Sequence, residues 1–267
     1  MTAGVSHAFV FEVWKVRSGR ISSALIFGFA ALSALAYSDS YFSSLGNPAL
    51  EAFTLPGAWR AIITRMGGIG RGVSLGLAIT WACQDFDLGV LRQQVASGVS
   101  RSSIVTAKIL LVPVVGVVVL LAQILPGAGF AMTATLQAGA PIRIPWADVV
   151  AMGLYLMELT GFATLGFLAG IFMRRSAGGL VLGFGYAYLG EPILSLLLQR
   201  GGWSGVADML PARVLGGLVR GFYQEGSFSQ DAGGAALRAS ASEPLVGLLV
   251  LVTGLGVGAW FLHGADY

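Results

Sequence analysis

Three ionisable side chains lie well inside long apolar runs of the sequence. Arg71 and Glu158 fall near the middle of two such runs, and Glu191, which is followed by Pro192, falls in the second half of a third. A charge inside a bilayer costs about 3 kcal/mol or more, so these groups are expected to be paired with an opposite charge or hydrated. A pairing of Arg71 with Glu158 or Glu191 would form either a polar pathway or gate, or a structural ion pair that fixes the register of the helices. A fourth charge, Arg65, lies nearer to one end of its run, where its side chain could snorkel to the interface.

The sequence lacks the patterns of the common catalytic sites. Lys15 and Lys108 are its only lysines, and neither completes the GxxxxGK[ST] pattern that cradles nucleotide phosphates. The two histidines, His7 and His263, lie near the two ends, and no HExxH pattern occurs. The single cysteine, Cys83, excludes an internal disulfide and a cysteine cluster for a metal. We therefore expect no catalytic residue, metal or cofactor in this chain.

The composition predicts an all-α membrane protein. Of the 267 residues, 55% are hydrophobic and 11% are charged, whereas a soluble domain carries about 25% charged residues. The net charge of +3 is small and the arginines are dispersed, which argues against a nucleic-acid partner. Six continuous apolar runs approach the length of a membrane span, which is about 20 residues. They cover residues 21–37, 62–82, 104–125, 149–173, 178–198 and 245–262.

Six spans place both termini on the same side of the bilayer, in one membrane domain that covers residues 1–267. Both lysines lie on the side of the N-terminus. Half of the arginines on the other side belong to the long segment 199–243, and long loops count for less in the positive-inside rule. The expected orientation therefore has both termini in the cytoplasm.

Two segments outside the runs are predicted to form helices that lie at the membrane interface. In residues 1–20, Glu12 and Lys15 line a narrow polar edge beside an apolar face, which is typical of an interfacial helix. The alternative is a simple extension of the first span. In the segment 199–243, an amphipathic stretch carries Arg213 and is too short and too charged to span, so a half-inserted external helix is expected.

Glycines recur at four-residue spacing in several of the runs. Small residues at this spacing allow helix backbones to approach closely in lipid. The spacing occurs in Gly68, Gly72 and Gly76, and in the pairs Gly166/Gly170, Gly179/Gly183 and Gly254/Gly258. It predicts close helix contacts without identifying the partners.

The longest polar stretch in the first half of the chain, residues 83–108, separates the second and third apolar runs. Its first part predicts a short helix with one apolar face, which ends in a turn at Gly98. Ser100 is a good N-cap for the helix that follows. An apolar face with Arg92 and Arg101 nearby suits docking against another protein.

This stretch resembles the loop between the second and third spans of type-2 ABC transporter permeases, the six-span subunits of ATP-driven exporters. That loop carries an acid and an aromatic, then Gly, a small residue, a hydrophobe and a base, and then a Gly-Ser-Arg-like turn before a Lys. The matching residues are Asp85, Phe86, Gly89, Val90, Leu91, Arg92, Gly98, Val99, Ser100, Arg101 and Lys108. The stretch departs from the family pattern at Asp85, where Glu is commoner, and at Val90, where Thr is common. The N-terminal segment with Glu12, Trp14 and Lys15, the order of the spans and the long segment before the last span extend the resemblance over nearly the whole chain.

The resemblance implies a coupling helix within residues 84–103 that docks on a separate ABC ATPase. The implied docking residues are Asp85, Phe86, Gly89, Leu91, Arg92, Gly98, Ser100 and Arg101. It further implies a complex in the inner membrane of two permeases, the same chain or a homologous one, with two ATPase subunits that hold the ATP and Mg. ATP binding would close the ATPase pair and move the spans between inward-facing and outward-facing states. External re-entrant helices within 199–243 would cap the exit.

Two other functions remain open. A secondary transporter or channel would use Arg71, Glu158 and Glu191 as an ion or proton path, but such transporters often carry inverted repeats and the two halves here show no matching pattern. An intramembrane enzyme would need a base or a metal site within the spans. The apolar spans favour an amphipathic peptide, drug or lipid-like substrate over a small ion.

Overall fold

The computed structural model describes residues 8–14, 19–44, 54–87, 98–225 and 242–264, with Ser6, Gln94 and Ala96 as isolated positions. The regular structure in these ranges is helical, without a strand, which confirms the predicted all-α class. The helices are α1 (Arg20–Ser44), α2 (Leu55–Arg65), α3 (Gly67–Asp87), α4 (Arg101–Ala138), α5 (Trp146–Met173), α6 (Ser176–Gly185), α7 (Glu191–Arg200), α8 (Ser204–Asp208), α9 (Pro211–Glu225) and α10 (Ser242–Gly264). A π-helical turn, Tyr186–Gly190, joins α6 to α7, and residues 8–14 are also helical.

Four helical stretches are long and apolar enough to cross a membrane, judged by length and composition. They are Arg20–Ser43, Ser102–Ala138, Trp146–Met173 and Ser176–Arg200. These stretches coincide with the first, third, fourth and fifth predicted spans. The sixth predicted span coincides with a shorter apolar helix, Gly247–Trp260, and the second coincides largely with α3, which carries Arg71 and two aspartates.

The second predicted span is divided by a break at Met66, where α2 ends and α3 begins. The last four carbonyls of a helix lack intrahelical partners, and that of Ile62 is one of them in α2. The Tyr37 hydroxyl and the Gln123 amide donate to this carbonyl at 2.7 Å and 2.6 Å. The Tyr155 hydroxyl in turn donates to the Gln123 side chain at 2.6 Å. Polar side chains from α1, α4 and α5 therefore satisfy the buried helix end that the break creates.

The third predicted span is extended at its C-terminal end. The prediction ended it at residue 125 before a proline, but α4 continues through Pro126 to Ala138 and contains 38 residues. At about 1.5 Å per residue this length is about 57 Å, well beyond the hydrocarbon thickness of a bilayer. The extension contacts α2, because Thr135 Oγ1 accepts a 2.8 Å hydrogen bond from the backbone of Leu55, the first residue of α2. Packing against α2 thus accompanies the continuation of α4 past the proline.

Of the four apolar stretches long enough to cross a membrane, α5 is the most buried, and it contacts α3, α4, α6, α9 and α10. Its small residues permit this packing. A Cβ at Gly166 would overlap the carbonyl oxygen of Leu75 on α3, and a Cβ at Gly170 would lie 2.9 Å from the Cβ of Ala82. The predicted close contact of Gly166 and Gly170 is therefore confirmed, and the partner is α3.

The other predicted glycine pairs also lie at helix contacts. A Cβ at Gly179 or Gly183 would lie 2.7 Å or 2.8 Å from the side chain of Ile79 on α3. On α10, a Cβ at Gly254 would lie 2.8 Å from the Thr164 side chain of α5. The small residues of α6 and α10 thus bring these helices against the α3–α5 pair.

The replacement Gly166→Ala is expected to destabilise the protein by about 2 kcal/mol, because the new methyl group meets a backbone carbonyl that cannot rotate away. The matched control is Gly153→Ala in the same helix, where nothing lies within 4 Å of the new Cβ. Alanine is the better helix former by about 1 kcal/mol, so this control should be neutral or stabilising. Unfolding of both variants in detergent measures the difference, and equal stabilities would contradict the close α3–α5 contact.

Candidate functional site

Arg71 and Glu158 form an ion pair between α3 and α5. Arg71 Nε donates to Glu158 Oε1, and the Glu158 side chain is fully buried whereas the side chain of Arg71 is 27% exposed. Arg71 Nη2 also donates to the carbonyl oxygen of Gly216 on α9 at 3.0 Å. The guanidinium carbon lies 5.9 Å from the centre of the Phe162 ring, one helical turn beyond Glu158. Of the two pairings left open by the sequence, the structure has the one with Glu158.

Glu191 instead contacts the start of α9. Its Oε2 accepts from the backbone nitrogen of Ala212 at 2.9 Å, and its Oε1 accepts from that of Arg213 at 2.5 Å. The first N–H groups of a helix lack intrahelical partners and carry a partial positive charge, so a carboxylate at this position is stabilised. Glu191 is buried, with 2% exposure. The carboxylate from α7 thus caps α9 across 21 residues of sequence.

The π-helical turn Tyr186–Gly190 directly precedes Glu191. The backbone N–H of Glu191 donates to the carbonyl of Tyr186, five residues earlier instead of four. Pro192 has no N–H to donate, and a π-turn is one way in which a helix accommodates such an interruption. A proline within a helix commonly kinks it, and here the irregularity lies in the turn before Pro192.

Polar residues continue along α7 beyond Glu191. Ser195 Oγ accepts from Arg213 Nη1. With its amide oxygen toward α9, Gln199 accepts from the same Nη1 at 2.7 Å. Arg213 Nη2 lies 3.3 Å from Asp208 Oδ1, in a pair whose side chains are 46% and 64% exposed. Arg213 therefore joins α7 to α9 at the same end as the Glu191 cap.

These groups surround one cavity of about 510 Å³. It lies between α3, α5, the π-turn, α7 and the start of α9. Its lining residues are Gly68, Arg71, Phe162, Ala187, Tyr188, Glu191, Pro192, Ser195, Leu196, Gln199, Ala212 and Arg213. The structure thus brings Arg71 and Glu191 to one cavity, with Glu158 behind Arg71.

Ser195, Gln199 and the carbonyl of Gly216 were not predicted as parts of the site. A signal for the first two was present, because Glu191, Ser195 and Gln199 recur every four residues and share one helix face. No signal of this kind exists for a backbone carbonyl. The fourth charge, Arg65, donates to Ser40 and lies 3.9 Å from Asp39, with its side chain 46% exposed, so it is away from the cavity.

The predicted docking stretch is described in part. Gly89, Leu91 and Arg92 lie outside the described residues, as do the side chains of Asp85 and Arg101. Phe86 is at the last turn of α3 and packs partly buried against the core.

The predicted turn at Gly98 and the N-cap at Ser100 are present. Gly98 has a φ of +89°, in the left-handed region that favours glycine. The backbone N–H of Val99 donates to the carbonyl of Gln94 at 3.2 Å, a pattern typical of a helix that ends at Gly98. Ser100 Oγ then accepts from the backbone N–H of Ser103 at 3.2 Å and caps α4.

The N-terminal part of α4 also contacts the N-terminal helical segment, residues 8–14. Lys108 Nζ lies 4.0 Å from Glu12 Oε2, and both side chains are 2% exposed. Glu12 was predicted on the polar edge of an interfacial helix, but in the structure it is buried, while Val10 and Trp14 are each 64% exposed. The N-terminal segment therefore contacts α4 through an ion pair that the sequence analysis did not predict.

Comparison with known proteins adds no family assignment. A scan against known family models finds no match, and a search of curated proteins finds no significant match. Among the described residues, no three His, Cys, Asp or Glu side chains come close enough together to hold a metal ion. The resemblance of the polar stretch to type-2 ABC permeases therefore depends on its motif residues.

Proposed function

We propose that this chain is the permease subunit of an ABC exporter in the inner membrane. In this proposal α3 and α10 cross the bilayer together with the four helical stretches named above, which gives six spans with both termini in the cytoplasm. The 21 residues of α3 are about 31 Å long, close to the hydrocarbon thickness of a bilayer. The functional unit contains two permeases and two ATPase subunits, and ATP is hydrolysed in the partner.

The main support for this proposal is that the polar stretch follows one long helix, α3, and leads directly into another, α4. α3 continues to Asp87 without a break, and α4 begins at Arg101 immediately after its Ser100 cap. Phe86 and Lys108 attach these two helix ends to the core and to the N-terminal segment. A partner that moves the stretch would therefore act on the ends of two helices, α3 and α4, that pack into the core.

α9 is suited to the role of an external gate. It is held at Gly216 by Arg71 and at its N-terminus by Glu191, so two of the three predicted pathway residues attach it to the spans. A movement of α3 that withdraws Arg71 from Gly216 would release one of these attachments. The coupling of α3 to the ATPase would in this way reach the outer end of the pathway.

The alternative of a secondary transporter is less favoured by this arrangement. A proton path needs carboxylates that gain and lose protons during each cycle. Glu191 is instead committed to two backbone N–H groups, and Glu158 is paired with Arg71. Both carboxylates therefore have structural partners in the described state.

Co-expression with a candidate ABC ATPase, chosen by a P-loop pattern in a neighbouring reading frame, tests the proposal. We expect the two chains to copurify and to hydrolyse ATP. Arg92→Glu and Arg101→Glu should each lower the copurified ATPase activity at least about tenfold, because like charges across an interface cost several kcal/mol. Arg143→Glu is the matched control, since Arg143 is exposed in the segment between α4 and α5 and should have no effect.

Two results would overturn the proposal. One is that the chains do not associate. The other is a substrate flux driven by a proton gradient from this chain alone, which would favour the secondary transporter.

A further inference from the structure

The cavity between α3, α7 and α9 has more hydrogen-bond donors than acceptors available to a ligand. Among the lining residues that the structure describes, Glu191 is the one carboxylate, and it already accepts two backbone hydrogen bonds. A guanidinium carries five N–H donors, and Arg71 uses one for Glu158 and one for Gly216. A molecule in the cavity therefore meets N–H groups that need an acceptor.

The Arg71 guanidinium is held in place from behind. Glu158 is fully buried and is not among the lining residues, so Arg71 lies between this carboxylate and the cavity. Phe162 of α5, the helix that also carries Glu158, and Gly216 of α9 contact the guanidinium as well. A fixed guanidinium loses little conformational freedom on binding, and its planar fork of donors matches carboxylate and phosphate oxygens.

The rest of the lining is largely apolar. Phe162, Ala187, Pro192 and Leu196 supply hydrocarbon surface, and the half-exposed ring of Tyr188 lies at Gly68, to whose carbonyl its hydroxyl donates at 3.2 Å. The cavity volume of about 510 Å³ is within the range of ligand sites. A lining that combines guanidinium donors with hydrocarbon surface suits a molecule with a polar head and an apolar body.

We propose that this cavity binds the phosphate or carboxylate head group of an amphipathic molecule, with Arg71 as the principal donor and Arg213 as the second. The proposal names the substrate class of the exporter proposed above and rests on that function for its transport role. Binding itself requires only this chain. The head group belongs either to a bilayer phospholipid or to a free amphiphile, since both present the same oxygens.

Binding of radiolabelled dodecyl phosphate to the purified full chain in dodecyl maltoside micelles, which carry no phosphate, tests the proposal. We expect saturable binding that excess dodecyltrimethylammonium does not compete away. The double variant Arg71→Gln/Glu158→Gln should lower the affinity roughly tenfold or more, because it removes the charged donor and leaves no buried carboxylate unpaired. Glu158→Gln alone should raise the affinity, because the amide oxygen still accepts from Arg71 and holds it in place, while the negative charge that competes with the head group is gone. Arg143→Gln is the control and should bind as the wild type does.

The source of the head group follows from a competition. Displacement of dodecyl phosphate by phosphatidylglycerol added to the micelles identifies a bilayer lipid, and the lack of displacement identifies a free amphiphile. The proposal is overturned by any of three results: no saturable binding, equal affinities of the double variant and the wild type, or no rise in affinity in Glu158→Gln. Because the assay contains no ATPase, these results are independent of the copurification experiment, so either proposal can fail alone.

Discussion

Replacement of Arg71 by alanine is expected to destabilise the protein by about 3–5 kcal/mol, the cost of leaving one partner of a buried ion pair without its counter-charge. The carboxylate of Glu158 is fully buried, and Arg71 is its ion-pair partner in the described structure. The variant also loses the hydrogen bond to Gly216 and with it one attachment of α9. Unfolding in mixed detergent micelles measures the loss.

Two comparison variants separate the buried charge from other causes. The double variant Arg71→Met/Glu158→Leu removes both charges and should recover most of the stability, since apolar replacements of buried pairs are often neutral or stabilising. Arg65→Ala removes an arginine from an exposed pair with Asp39 and should cost about 0–1 kcal/mol. An Arg71→Ala variant no less stable than Arg65→Ala would contradict the buried pair.

Glu191→Ala is expected to detach the start of α9 from α7. The variant loses two charge-assisted hydrogen bonds to the backbone of Ala212 and Arg213, and such bonds contribute about 1.5–3 kcal/mol each. The unpaired N–H groups would then exchange with solvent more readily. Hydrogen exchange over residues 211–219 should increase at least about tenfold, whereas exchange in α5 should change little.

The matched control for this prediction is Asp208→Ala. Asp208 pairs with Arg213 at the same end of α9, but both side chains are well exposed, so its removal should change exchange by less than about fivefold. Glu191→Gln retains an acceptor oxygen and should fall between the wild type and the alanine variant. Equal exchange in the Asp208→Ala and Glu191→Ala variants would show that the carboxylate does not cap α9.

The helical class and most of the apolar helices follow from the sequence. A continuous apolar run in lipid must satisfy its backbone hydrogen bonds within itself, as an α-helix does. The turn at Gly98 and the cap at Ser100 were also predictable, because both depend on local backbone chemistry. The break at Met66 was not predictable in this way. It depends on Tyr37 and Gln123, which reach the Ile62 carbonyl from two distant helices.

The charged residues of the candidate site could be predicted from the sequence, but the pairing of these residues in the fold could not. The cost of an isolated charge in lipid identifies Arg71, Glu158 and Glu191, yet two carboxylates compete for one guanidinium. The structure resolves this competition through backbone N–H groups at the start of α9, which become the partners of Glu191. The backbone N–H groups at the N-terminus of a helix are the same for any sequence. The side chains of a long segment therefore do not indicate which distant residue will accept hydrogen bonds from them.

The most direct test of the proposed coupling is a photo-cross-link from the polar stretch to the ATPase. Replacement of Leu91 with p-benzoylphenylalanine places the reactive group on the predicted apolar face, and the same replacement at Ile142, which is exposed between α4 and α5, serves as the control. Illumination of the co-expressed complex should join this 27.7 kDa chain to the ATPase from position 91 and leave it free at position 142. The lack of a product at position 91, or equal products at both positions, would contradict the role of the polar stretch as the docking site of an ATPase.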